Sequence, residues 1–209
     1  LAFGMKALNI EDDKRSSNLH IEARTMLATR ALGRLDIPIE LDSRFSFPKD
    51  TVFAVDIEDL DAKIATIPVS MNGLLRFASE GLDIKGAAAA VEQCNLNGLL
   101  KGLAKNIIPE SDKITTDAML TLLAECDGRY VYQTGALPHL KASVDIPSSH
   151  IRHSSFAEDI MLALNAGAET DENGLLHVSL NTGKVQTRGL DVNLSGHVDD
   201  LLGEDPAVG

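Results

Sequence analysis

Tryptophan is absent, aromatic residues make up only 4% of the chain, and there are two cysteines, Cys94 and Cys126. With so few rings, any core must be built from Leu, Ile, Val and Ala. The cysteines have no C-x-x-C spacing, which argues against a metal knuckle. They read as two small buried hydrophobes, with a disulfide left open for an exported chain. No run of about 18 apolar residues occurs, so the sequence predicts no transmembrane helix. No signal-peptide pattern is visible either. The opening stretch "LAFGMKALNI" has no initiator Met, and the chain reads as a segment of a longer protein. Positive charge is scarce: 19 Lys and Arg stand against 31 Asp and Glu, for a net charge of −12 and a pI near 4.8. Nucleic acid is bound by displacing counterions with positive charge, so this composition argues against it as a partner. An anionic membrane surface would also repel the chain.

The recognisable catalytic motifs are missing too. There is no G-x-S-x-G nucleophile turn, no G-x-G-x-x-G and no phosphate-binding Gly-Lys-Ser/Thr loop. "SSHIRHSS" at 148–155 places His150 and His153 three apart. On a helix that spacing could hold a metal; on a strand the two rings point to opposite faces. The surroundings alternate, so both read as strand histidines without a shared ligand. His139, His177 and His197 show no local partner pattern. "EDDK" at 11–14 lacks the glycine and spaced acids of a calcium loop. "NLS" at 193–195 matches a glycosylation sequon, a pattern that recurs by chance. The sequence therefore nominates no catalytic, cofactor-binding or metal-binding residue and no cofactor. It reads as a non-enzyme.

The dominant signal is period two. Leu35, Ile37, Ile39 and Leu41 share a face against Asp36, Glu40 and Asp42; Leu140, Ala142, Val144 and Ile146 do the same, as do Leu176, Val178 and Leu180. Such alternation marks sheets with one apolar and one polar face. "TDAMLTLLAECD" at 116–127 suits a helix by propensity but alternates, and is assigned to a strand. Strand breaks are expected near Glu58–Asp59, with turns at Glu11–Lys14, Phe47–Asp50, Asn72-Gly73, Asp127-Gly128 and Asp171–Gly174, and a short hairpin turn at Asn181-Thr182-Gly183. In "NLNGLLKGLAKNIIPES", Leu96, Leu99, Leu100, Leu103 and Ile107 recur at helical spacing, with Asn95 placed to cap and Pro109 to stop. The expected fold is mostly β: an antiparallel meander forming a curled sheet, groove or open barrel, with one short amphipathic helix around 95–107. That helix would lie across a sheet edge or over an apolar trough.

"EGLDIKGAAAAVE" at 80–92 and "RGLDVNLSGHVDD" at 188–200 share an order: turn glycine, Leu-Asp, alternating strand, second glycine. A Leu-Leu-Gly-type segment follows each, "NLNGLLKGL" after the first and "DDLLGEDP" after the second. This reads as a weak internal repeat. Residues 1–209 are taken as a single β-rich segment, with repeated modules at 1–93 and 112–206 joined by the helix at 95–108.

Taken in order, "IPIELDSRFSF", "VSMNGLLRFASEGLDIKG", "NLNGLLKGLAKNIIPES", "LPHLKASVDIPSSHIRH" and "GLDVNLSGHVDDLLGEDP" resemble the middle of AsmA-like proteins of Gram-negative bacteria, of the Bacteroidetes type. The resemblance covers roughly residues 33–206. It implies a membrane-anchored parent in the inner membrane or envelope, with a long periplasmic β-rich region. It also implies a role in moving phospholipids between membranes and in outer-membrane biogenesis, with no catalytic motif. The expected partners are phospholipid acyl chains and other β modules of the parent. The competing expectation is a structural or protein-interaction β scaffold without a ligand.

Overall fold

The computed structural model describes residues 15–29, 33–47, 53–64, 66–102, 110–155, 158–203 and 207–209. Its strands are β1 (Arg15–Thr29), β2 (Gly33–Phe47), β3 (Ala54–Ile64), β4 (Ile67–Phe77), β5 (Gly81–Asn95), β6 (Ile114–Thr116), β7 (Met119–Val131), β8 (His139–His153), β9 (Ile160–Thr170), β10 (Leu176–Thr187), β11 (Leu190–Asp199) and β12 (Ala207–Val208). One helix, α1 (Leu96–Gly102), and a 3-10 turn at Ser111–Lys113 lie between β5 and β6. The chain is thus mostly antiparallel β, as the alternation predicts.

All the strands belong to one sheet in the order β1-β2-β3-β4-β5-β7-β8-β9-β10-β11-β12, with β6 paired to β8 beyond the end of β7. Apart from β6, each strand lies beside the next in sequence, the meander that short connections favour. Among the described residues the sheet does not close: β1 pairs only with β2, and β12 only with β11.

Opposed residues in neighbouring strands share a face, so the register can be followed across the sheet. One row runs Leu19, Ser43, Leu60, Met71 and Ala89 from β1 to β5. It continues as Ala124, Ala142, Ala168, Val178 and Val198 through β7 to β11, ending at Val208 of β12. A parallel row holds Leu122, Val144, Ala166 and Leu180. The opposite face carries His20, Asp42, Asp61 and Ser70 in one row, and Glu125, Lys141, Glu169 and His177 in another.

The register shifts of this sheet follow one rule. The doubled residues are Glu58-Asp59 in β3, Lys85-Gly86 and Glu92-Gln93 in β5, Pro147-Ser148 in β8 and Asn181-Thr182 in β10. Both members of every pair are exposed. Each is a β-bulge, which bends its strand and raises its twist. The extra residue also preserves the phase, so Leu60 and Ile57, Val91 and Cys94, and Ile146 and Ser149 stay on the aliphatic face.

Several expected turns are therefore corrected. Glu58–Asp59 is a bulge inside a continuous β3, not a strand break. Asn181-Thr182-Gly183 lies inside β10, and the hairpin turn falls at Arg188-Gly189. Asn72-Gly73 lies inside β4 opposite the Gly86 bulge, and Asp127-Gly128 inside β7. The physical reason is common to all of them: two polar residues in succession interrupt the alternation whether the chain turns or bulges. Asp171–Gly174 is a true turn, where the Asp171 carboxylate accepts hydrogen bonds from the Asn173 and Leu175 amides. The expected turns at 11–14 and 48–50 lie outside the described residues.

Residues 96–102 are helical as expected, and Asn95 Oδ1 accepts from the Asn97 amide at 2.8 Å. Residues 103–109, the remainder of the predicted helix, lie outside the described residues. The helix sits at the C-terminal end of β5, against β6 and the 3-10 turn. Residues 116–127 fall largely in β7, in agreement with their assignment to a strand.

Candidate functional site

The extended feature of this molecule is its aliphatic face. Among strand positions whose side chains are described, none on this face carries Asp, Glu, Lys or Arg. Burial falls along it unevenly. Val91, Cys94 and Ile146 are buried, most neighbours are half-buried, and Ile64, Ile160, Leu190 and Leu194 are 39%, 41%, 53% and 56% exposed. A second layer would bury such positions almost completely, and among the described residues none lies over them.

The middle of this face has a low floor. Ala89, Ala124, Ala142 and Ala168 stand opposite one another on β5, β7, β8 and β9. Leu122, Val144 and Leu180 rise on one side of that line and Leu140 and Leu176 on the other. A row of methyl groups flanked by larger side chains makes a shallow channel across the strands. Neighbouring strands are about 4.8 Å apart, so the alanine line alone spans about 14 Å.

The cysteines belong to this face. Cys94 is opposite Leu120, and Cys126 is opposite Ala87 and Leu140. Leu120 and Cys126 are six residues apart on β7, or about 20 Å at the strand rise, far beyond disulfide reach. Both thiols are free, and burial raises the pKa of each, with Asp127 adding to the effect at Cys126. The question left open by the sequence is settled for this chain: they pack as apolar groups.

The opposite face holds the titratable groups. His177 Nδ1 lies 2.8 Å from Asp199 Oδ1, and its Nε2 lies 3.6 Å from Asp171 Oδ2. Asp199 and then Asp171 favour the imidazolium and raise the His177 pKa. His20 is raised in the same way by Asp42 and Glu22. Arg129 and Asp83 pair across β5 and β7, which lowers the Asp83 pKa. Glu125, Lys141, Glu169 and His177 alternate in sign on successive strands, an arrangement that stabilises cross-strand pairs.

His150 and His153 are separated as the strand reading requires. His150 is exposed on the polar face, where its amide donates to Asp117 Oδ1 and its ring lies 3.4 Å from Asp117 Oδ2. His153 is opposite Ile114, near Glu110 at 3.6 Å. Sequence reading missed the partners of His177, because they come from a turn and from the next strand. The clue would have been register: the hairpin at Arg188-Gly189 puts Asp199 beside His177. His197 stands opposite Ser179 and 3.7 Å from Asp199, with no hydrogen bond between Ser179 and His197. Among the described residues, no group of three or more His, Cys, Asp or Glu is placed to hold a metal ion. No described helix is long and apolar enough to cross a membrane.

No family model, no curated protein and no solved structure matches the chain.

Proposed function

We propose that this chain is a length of open β-trough that handles phospholipid, with acyl chains lying on the aliphatic face and headgroups left in water. The carrying observation is a face with no Asp, Glu, Lys or Arg at any strand position whose side chain is described, continuing from β1 to β12 with no covering layer among the described residues. A contiguous apolar surface of that extent is costly in water and marks a binding surface for something apolar. Each methylene taken from water onto such a lining contributes about 0.8 kcal/mol. The alanine floor offers an unbranched chain a path across the strands, and the bulges add backbone on the polar side only, which suits a sheet that curls around the aliphatic face. The process is passive; no bond is made or broken.

With the sequence resemblance, the reading extends to an AsmA-like periplasmic segment of an envelope-anchored parent, contributing to phospholipid transport between membranes and to outer-membrane biogenesis. Native mass spectrometry of the purified chain, followed by organic extraction and lipid analysis, tests it. Phospholipid at a defined stoichiometry is expected; a lipid-free chain that also refuses a fluorescent phospholipid would overturn the reading.

A second reading is a β scaffold whose apolar face and edges meet other β modules. It is favoured by β1, whose fifteen-residue length is paired on one side only among the described residues. Unpaired edges of this kind are templates for strand addition. On that reading the face would be occupied by protein and would exclude lipid.

A further inference from the structure

The aromatic side chains are unevenly placed. Phe45, Phe47, Phe53, Phe77, Tyr130 and Tyr132 are all those among the described residues, and all sit at one end of the sheet. That end is formed by the C-termini of β2, β4 and β7 and the N-termini of β3 and β5. The rings meet in pairs: Phe45 with Phe47 and Phe53 with Phe77 at 5.4 Å between centroids, Tyr130 with Tyr132 at 6.0 Å. The pairs form a rim, because Phe77 is opposite Leu82 and Leu82 is opposite Tyr130, while Phe53 O accepts from the Phe77 amide. Phe45, Phe77 and Tyr130 lie on the aliphatic face, so the rim continues the lining of that face to the strand ends. Phe53, Tyr132 and Phe77 remain 64%, 49% and 36% exposed.

We infer that this aromatic rim is a docking surface for the headgroup zone of a phospholipid bilayer of zwitterionic lipid, placing one long side of the trough, formed by strand ends, against the membrane. The inference rests on the trough reading and names the partner along that side. Tyr rings settle at the level between headgroups and acyl chains, where one end is apolar and the other wet, and Phe rings insert just below it as part of an apolar face. The charges beside the rim select the lipid. Asp56, Asp83 and Glu80 stand at this end with Arg15, whose position is opposite Phe47, Arg76 and Arg129, three of each sign, so neither prevails. With a net charge of −12 over the chain, an anionic surface would repel it.

Flotation with phosphatidylcholine vesicles tests this. The wild-type chain is expected to float. The triple variant Phe53→Ser/Phe77→Ser/Tyr132→Ser should lose about tenfold or more of that binding, as expected for removing exposed apolar rings from an interface. Leu123→Ser, which removes a leucine 45% exposed on the opposite face, should float like wild type. A second readout does not depend on removing rings: the chain has no Trp, so Tyr132→Trp should shift its emission to the blue when vesicles are added, and Leu123→Trp, on the opposite face, should not. Failure of the wild type to float, an equal loss in Leu123→Ser, an unshifted Tyr132→Trp, or binding that grows when phosphatidylglycerol replaces phosphatidylcholine would each overturn the inference. Lipid extracted from the same samples separates the two readings. A rim variant that keeps bound phospholipid but no longer floats supports docking through the rim; a wild-type chain that holds lipid and never floats overturns docking and leaves the trough standing.

Discussion

Gly73 faces Ala87 so closely that a Cβ built on Gly73 would lie 2.6 Å from the Ala87 Cα. The approach arises where Gly86 is inserted into β5 and drives Ala87 toward β4. Gly73 also has φ +146°, a conformation that side chains with a Cβ disfavour. Gly73→Ala is therefore expected to destabilise the sheet by about 2–4 kcal/mol, from backbone strain and overlap together. Gly98→Ala is the contrast. It lies within α1 with nothing near its would-be Cβ, and should stabilise by about 0.5–1 kcal/mol through helix propensity. Urea unfolding of the two variants checks both signs.

Ala142 lies in the centre of the alanine line, half-buried and with no layer above it among the described residues. Replacement by Phe is expected to leave the far-UV spectrum and cooperative unfolding intact, because the added ring extends into open space. The same change fills the channel floor, so uptake of a fluorescent phospholipid should fall several-fold. Ser143→Phe, one residue along on the other face, should leave uptake unchanged. Equal effects from both substitutions would remove the alanine line from the account.

The histidine pair at the β10 end gives a signed pH dependence. Asp199 and Asp171 raise the folded pKa of His177 above its unfolded value near 6.5. A group raised on folding contributes stability that is complete below the unfolded pKa and is lost as pH climbs through the folded one. His177 therefore favours the folded chain at mildly acid pH and stops doing so as it deprotonates. Asp171 is lowered, first by its hydrogen bond from the Leu175 amide, so its contribution is present above the usual carboxylate range and is lost as pH falls. A proton NMR titration of the His177 ring should show the raised value, and Asp199→Asn should bring it back toward the unperturbed one.

Cys94 and Cys126 supply a probe of the face they line. Both thiols have raised pKa values through burial, so little thiolate is present at neutral pH. Modification by a charged thiol reagent is expected to be slow in the native chain, slower at the buried Cys94 than at the half-buried Cys126, and fast for both after unfolding. Stability should not change on adding a reductant, since the two are too far apart to join. Rapid native labelling of Cys94 would contradict its placement.

Much of the sheet could be read directly from the residues, because one face is apolar and the other polar along almost every strand. The alternation through Leu140, Ala142, Val144 and Ile146 left little freedom, since a slip of one residue would turn all four into water. The bulges could not be read this way. Glu58-Asp59 and Asn181-Thr182 look like turns in a single sequence, and only the neighbouring strand shows that the chain runs straight on. The short helix was legible at its start, where Asn95 caps it. The aliphatic face was legible as a property of separate strands, while its continuity depends on the register joining Ala89, Ala124, Ala142 and Ala168. The His177–Asp199 contact and the gathering of rings at one end were hidden for the same reason: each depends on which strand ends lie together.

The central claim is that lipid lies on one particular face. Val144 and Ser143 are adjacent in β8 and point to opposite sides, Val144 between Leu122 and Ala166, Ser143 between Leu123 and Gly167. A photoreactive amino acid placed at each position in turn, with illumination in cells and mass analysis of the adducts, measures the claim directly. The account predicts phospholipid adducts at 144 and none at 143. Adducts at both positions, or protein adducts alone at 144, would contradict it.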